Sequence, residues 1–390
     1  MKKFMSILAS ALLLSASFVS CNSKKNKSGK LQVVATIYPA YNWVENVLGE
    51  KAADAELTLL LDNGVDLHNY QPSAEDIIKI ANSDVFIYVG GESDGWVDDV
   101  LETADNKDMV VINLLEELGD IVKEEEMVEG MQASEHHHHH DGDDEHHHEE
   151  GEEHHHDDDD DEDEHHHEEE HHHDDDDDED EHHHDEHHHD HDDDEDEDEH
   201  HHDEHHHHHD GPEYDEHVWL SLRNASVLTS KIADALCEAD EKNADAYKAN
   251  AAAYIKKLSD LDKDYVNAVA GAKKTTLLFA DRFPFRYMVE DYNLKYYAAF
   301  IGCSAETEAS FETVVFLANK VDELGLNVVL TIEGKNHKIA ETVVSSTKKK
   351  NQKILTLDSL QSSTRASGQA GNDYISVMRS NLDVLKEALK

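Results

Sequence analysis

From residue 31 onward, short apolar runs alternate with segments whose apolar positions recur every three or four residues, the periodicities of strand and helix. The β-branched-rich runs predict strands over residues 31–37, 57–61, 85–89 and 110–113. Between them, amphipathic stretches predict a helix over 39–48 that stops at Gly49, one opening at Pro72 and Ser73, and a short one around 96–103. Ser73 with Asp76 has the spacing of a capping box. Strands alternating with helices imply a parallel, helix-covered sheet. The pattern breaks after Met131 and resumes at Pro212, with a helix from Ser221 carrying Ala225, Leu228, Ile232 and Leu236 on one side.

Next, Tyr247, Ala251, Tyr254, Leu258, Leu261, Tyr265 and Ala268 recur at alternating steps of four and three, the stripe of one helix over about 243–269. At 1.5 Å per residue it is about 40 Å long, a stiff strut. Strands at 275–280, 295–300, 327–332 and 353–357, with helices between and a last one over 373–389, then repeat the first pattern. The expected fold is α/β: two lobes, each a four-stranded parallel sheet flanked by helices, joined by one strut helix, with a cleft between them. The first lobe takes residues 31–134 and 212–242, the strut 243–271 and the second lobe 272–390.

The interruption changes the picture. Residues 135–210 consist of 42 Asp or Glu, 32 His and 2 Gly and nothing else. Such a stretch has no apolar side chain to bury and repels itself, so it is expected to be a disordered loop whose stems are held close together by the lobe. Acid blocks alone would be a solvated charge run, but solubility does not call for imidazole at this density. Imidazole and carboxylate are ligands of zinc and its neighbours, so the tract reads as overlapping weak metal sites, with His136, His146, His154, His165, His171, His182, His187, His200 and His205 representative. His167–His171 matches the H-E-x-x-H pattern of zinc proteases, which a two-letter repeat produces by chance.

Of the chain's 90 acidic residues 42 lie in the tract, so the remaining 48 face 33 Lys and Arg, a net −15 that argues against a nucleic-acid partner. Residues 1–20 have the form of a signal peptide: Lys2 and Lys3, then an apolar small-residue run. Phe18-Val19-Ser20-Cys21 resembles a bacterial lipobox with Phe where Leu is usual, which makes Cys21 the expected lipidated residue and 21–30 a tether. Cys237 and Cys303 are read as buried thiols; their spacing does not decide whether they pair.

Only three His lie outside the tract. His68, in Asp66-Leu67-His68-Asn69-Tyr70-Gln71-Pro72, and His217, in Asp215-Glu216-His217-Val218-Trp219-Leu220-Ser221, occupy loops at element ends, where open α/β sheets place ligand sites. A single loop His is usually a surface residue, but two such loops in a chain with a His tract point to a metal site. His337 reads as a solvent-facing residue, and Glu333 is a further second-lobe carboxylate at a strand end.

The His-x-Tyr-x-Pro loop at His68, the His-x-Trp-Leu-Ser motif at His217, the strut, Ser304-Ala305-Glu306-Thr307-Glu308 and Thr356-Leu357-Asp358-Ser359-Leu360 together resemble the substrate-binding lipoproteins of bacterial zinc and manganese ABC importers, the metal-binding cluster of periplasmic binding proteins. The resemblance runs from residue 31 to the C-terminus and implies a metal site in the interlobe cleft. His68 and His217 match two ligands from the first lobe, and Asp358 a carboxylate ligand from the second. Register places Arg282 at the remaining ligand position, where a guanidinium cannot coordinate a cation, leaving Asp281 as the oxygen donor there. Asp358 could instead cap a turn, and Asp281 could pair with Arg282 or Arg286.

With the resemblance, these features imply an extracytoplasmic, lipid-anchored monomer expected to bind Zn²⁺ rather than Mn²⁺ and to deliver it to an ABC permease. The same fold could serve a surface metal buffer or adhesin. A zinc hydrolase would need a general base beside an open coordination position, and no such base is evident in the two lobes.

Overall fold

A computed structural model of the chain describes residues 29–104, 106–132, 213–304, 308–334 and 336–390. The leader, Cys21, the tether as far as Ser28, the His/acid tract and Glu306 lie outside the described residues.

In the first lobe, β1 (Leu31–Ala35), β2 (Ala55–Leu59), β3 (Val85–Tyr88) and β4 (Val110–Asn113) form a parallel sheet in the order β2-β1-β3-β4. Helices α1 (Tyr38–Leu48), α2 (Ala74–Ala81), α3 (Val97–Thr103) and α4 (Leu114–Leu118) connect and follow these strands. The start of α2 is fixed by the Ser73 hydroxyl accepting from the Asp76 N–H at 3.2 Å, while the Asp76 carboxylate accepts from the Ser73 N–H at 3.1 Å. The second lobe repeats the plan: β5 (Thr276–Phe283), β6 (Lys295–Ile301), β7 (Val328–Thr331) and β8 (Lys353–Thr356) pair in the order β6-β5-β7-β8. Both sheets therefore reverse strand order beside their first strand, the place where open parallel sheets form ligand crevices.

The helix α5 (Leu222–Ala239) packs against α1, α4 and the first sheet, and α6 (Ala244–Ala270) follows it as the strut. At 27 residues α6 is about 40 Å long. Its stripe of Tyr247, Ala251, Tyr254, Leu258, Leu261 and Tyr265 is buried against α5, α1 and the C-terminal helix Tyr374–Ala388. The Tyr hydroxyls, too costly to bury unpaired, find partners: Tyr254 with Asn42 at 3.3 Å, and Tyr265 donating to the Met378 carbonyl at 2.5 Å. Trp43 of α1 packs edge-on against Tyr374 with ring centroids 5.4 Å apart. One apolar cluster thus continues from the first lobe through α6 into the second, and a smaller one fills the far face of the second sheet.

The chain flanking the tract is tied together. Glu124 and Tyr214 form an antiparallel bridge, the Glu125 N–H donates to the Glu213 carbonyl at 2.9 Å, and the Asp215 N–H to that of Lys123 at 2.8 Å. This pairing also brings Glu125 toward the start of the His217 loop.

Candidate metal centre

His68 and His217 are presented by the same local device. Each stands two residues after an Asp whose Oδ1 accepts the His backbone N–H, at 3.2 Å from Asp66 and 2.9 Å from Asp215. A single helical turn follows each start, Leu67–Asn69 in one loop and Val218–Leu220 in the other. The loop after β3 closes over both: Gly91 turns at φ 80, and an added Cβ there would meet the Glu216 side chain at 2.5 Å, so only glycine lets this loop approach. The approach lets Ser93 donate its N–H to Glu216 Oε1 at 2.9 Å and place its hydroxyl 2.7 Å from His68 Nδ1.

The outcome is two imidazoles facing each other, with Nε2 atoms 3.2 Å apart and rings at 60°. Nδ1 of His217 donates to Asp215 Oδ1 at 2.9 Å, which fixes the tautomer and turns the Nε2 lone pair into the cleft. For His68, Nδ1 meets Ser93, with the buried Glu216 Oε2 3.5 Å away and without a hydrogen-bond partner. Two nitrogens sharing a tetrahedral Zn²⁺ at about 2.0–2.1 Å stand roughly 3.3 Å apart, so the observed pair has the spacing of ligands before the ion enters.

Charge is arranged around this pair. Burial, then the neighbouring His217, pushes the His68 pKa down to about 3, which keeps that ring neutral and able to coordinate. Burial works against charge on His217 too, but Asp215 outweighs it and raises that pKa. Burial lifts Glu216 to about 7. Asp66, despite burial, is held below the usual carboxylate range by Arg282, whose Nη2 lies 2.7 Å away. Arg282 also donates to the Ser304 carbonyl at 3.3 Å and to Gln361 Oε1 at 3.4 Å, and the Gln361 amide nitrogen reaches His217 Nε2. Because Asp215 favours the protonated His217 ring, a proton there competes with a metal, and Zn²⁺ affinity should fall as pH drops through the neutral range into mild acid. Calorimetric titration across that range checks this; affinity independent of pH contradicts it.

Among the described residues, the expected second-lobe donors Asp281 and Asp358 have no atom in the close cluster formed with the two imidazoles. Both oxygens of Asp281 accept backbone N–H groups, from Arg282 at 2.9 Å and Ile332 at 3.2 Å. Arg282 pairs across the cleft with Asp66 rather than with the Asp281 side chain, because β5 extends to Phe283 through a register shift and carries Arg282 to the cleft edge. Asp358 accepts from the Leu360 N–H at 2.8 Å, and burial with the neighbouring Glu333 raises its pKa to about 6. Glu333 itself is engaged by the Ser359 N–H at 2.7 Å and hydroxyl at 2.6 Å. His337 precedes the helix Lys338–Ser346 and is also outside the cluster.

What the second lobe does bring is Cys303, missed in the sequence. Among the described residues, His68, His217 and Cys303 are the one group of three potential ligands whose donor atoms all lie within 4.8 Å of one another. Cys303 and Cys237 are free, half-buried thiols. A Cys directly after β6 and before the Ser304 motif was the available signal.

Comparison with known proteins follows the same lines. The family model described as ZnuA, zinc-uptake complex component A periplasmic, matches residues 33–388. The zinc-binding protein AdcA of Streptococcus pyogenes is 28% identical over 92% of this chain, which spans 56% of that relative's length. The high-affinity zinc uptake system protein ZnuA of Bacillus subtilis is 25% identical over 98% of this chain and 96% of its own. The crystal structure of the Zn(II)-bound ZnuA-like domain of Streptococcus pneumoniae AdcA superposes with a TM-score of 0.60 at 25% identity, covering 93% of this chain and 99% of that one. Since the family model takes in both sheets, the strut and both histidine loops, the chain belongs to the zinc-uptake complex component A periplasmic family.

Proposed function

We propose that this protein binds Zn²⁺ outside the cytoplasm between His68 and His217 and delivers it to an ABC permease for uptake, held to a membrane by lipidated Cys21. The observation that carries the reading is the Nε2 pair 3.2 Å apart, each Nδ1 occupied by a hydrogen-bonding partner. That is how a protein prepares imidazoles for a metal. The relatives' names, a zinc-binding protein and a zinc uptake component, support the same ion.

On entry the ion replaces the Gln361 amide at His217 Nε2, so Gln361 swings aside. Asp66–Arg282 joins the lobes beside the ion, and a cleft held by such contacts can open for release with little repacking. The His/acid tract raises the local metal concentration and feeds the tight site. This reading assigns the chain no catalytic chemistry.

Cells lacking the gene should fail to accumulate zinc from zinc-poor medium, recover with the wild-type chain and stay deficient with His68→Ala. Full recovery with that variant would remove the delivery role from this site.

A further inference from the structure

We propose that Cys303 is a third ligand of the centre, its thiolate closing onto a Zn²⁺ held by His68 and His217; the inference rests on the function proposed above. The evidence is the mutual approach of one ring nitrogen from each His and the Cys303 sulfur within 4.8 Å, with the sulfur supplied by the lobe opposite the two loops.

The backbone is built for this approach. Gly302 lies so close to His217 that an added Cβ would stand 3.0 Å from Cε1, 3.1 Å from Nδ1 and 3.0 Å from the Phe283 carbonyl. Any other residue there would push the loop, and Cys303 with it, off the imidazole. Glu125 holds the next residue: its carboxylate accepts the Cys303 N–H at 3.2 Å. Binding forms the Zn–S bond and breaks S–H, with the proton passing to solvent past the Glu125 carboxylate that holds the Cys303 backbone. The second lobe's carboxylates Asp281 and Glu333 have both oxygens engaged by hydrogen bonds.

The chemistry carries a specificity. Two imidazoles and a thiolate form a borderline-soft set that suits Zn²⁺, at about 2.0–2.1 Å to nitrogen and about 2.3 Å to sulfur, and disfavours Mn²⁺, which takes oxygen donors. Cys303 therefore discriminates against manganese, a task for which a second-lobe carboxylate is poorly suited.

The test is Co²⁺ substitution of the full-length protein, read by the thiolate-to-cobalt charge-transfer band in the near ultraviolet, which the tract's imidazoles and carboxylates cannot produce. The band should appear in the wild type, in Cys21→Ser and in Cys237→Ser, and vanish in Cys303→Ser. Zn²⁺ binding to Cys303→Ser, measured against a competing chelator, should be at least about tenfold weaker, with a smaller preference over Mn²⁺. A tight Zn²⁺ site in the wild type with no band, or a band that follows Cys237, overturns the Cys303 assignment alone. Absence of any tight site in the wild type overturns the function beneath it.

Discussion

His68→Ala and His217→Ala should each remove the tight Zn²⁺ site while leaving the weak binding of the tract. Losing only a hydrogen-bond partner of a metal ligand typically costs about 10–100-fold in affinity, so losing the ligand itself should exceed about 100-fold. The two variants should differ in stability. His217 is fully buried and its Nδ1 is one of two donors to Asp215 Oδ1, the other being its own backbone N–H, so His217→Ala removes one charge-assisted hydrogen bond from a buried carboxylate, at a cost of about 1–3 kcal/mol. His68 is less buried, and the Ser93 hydroxyl it would abandon can turn to the unpartnered Glu216 Oε2, so His68→Ala should unfold closer to wild type. Calorimetric titration against a chelator strong enough to empty the tract, paired with thermal unfolding of the metal-free proteins, reads both effects. Unchanged affinity in the double variant would place the tight site elsewhere.

Deleting residues 135–210 should have the opposite signature, a large loss of capacity at constant affinity. The segment holds 32 of the 35 His and 42 of the 90 acidic residues but no apolar side chain, so it contributes donors and no core. The flanking strands are already joined by the Glu124–Tyr214 bridge and its neighbouring hydrogen bonds, so a short linker can replace the segment. The shortened protein should bind one Zn²⁺ tightly, keep the wild-type unfolding temperature within a few degrees and lose most of the weak sites. Uptake should suffer when zinc is scarce, because the tract acts on local concentration and not on the equilibrium at the cleft. If the shortened protein lacked a tight site, the tract itself would have to supply ligands to it.

The fold was legible because its signals are local. The run at 110–113 is the strand Val110–Asn113, Ser73 caps its helix, and the four-three stripe from Tyr247 to Tyr265 is the buried face of α6. Strand ends were less legible: β5 runs to Phe283, three residues beyond the expected 280, because a register shift between Phe279 and Arg282 prolongs its pairing with β6. Of the candidate site, the two histidines that the structure brings together were legible. His68 and His217 could be picked out since imidazole is rare outside the tract and each follows an Asp by two residues, the spacing of the turn that presents it. The second lobe's contribution depends on which of several loops faces the first lobe, a distance between residues far apart in sequence, 86 positions for His217 and Cys303, about which spacing along the chain says nothing. Asp358 accepts from the Leu360 N–H and lies beside Glu333, whereas Cys303 follows Gly302, whose backbone lies against the His217 ring.

The central claim, that the tight ion sits between His68 and His217, is tested most directly by anomalous diffraction at the zinc edge from protein loaded with one equivalent of Zn²⁺. The expected result is a single strong peak about 2.0–2.1 Å from both Nε2 atoms. A zinc held by His337, or by Asp281, Glu333 and Asp358 without either imidazole, would contradict it.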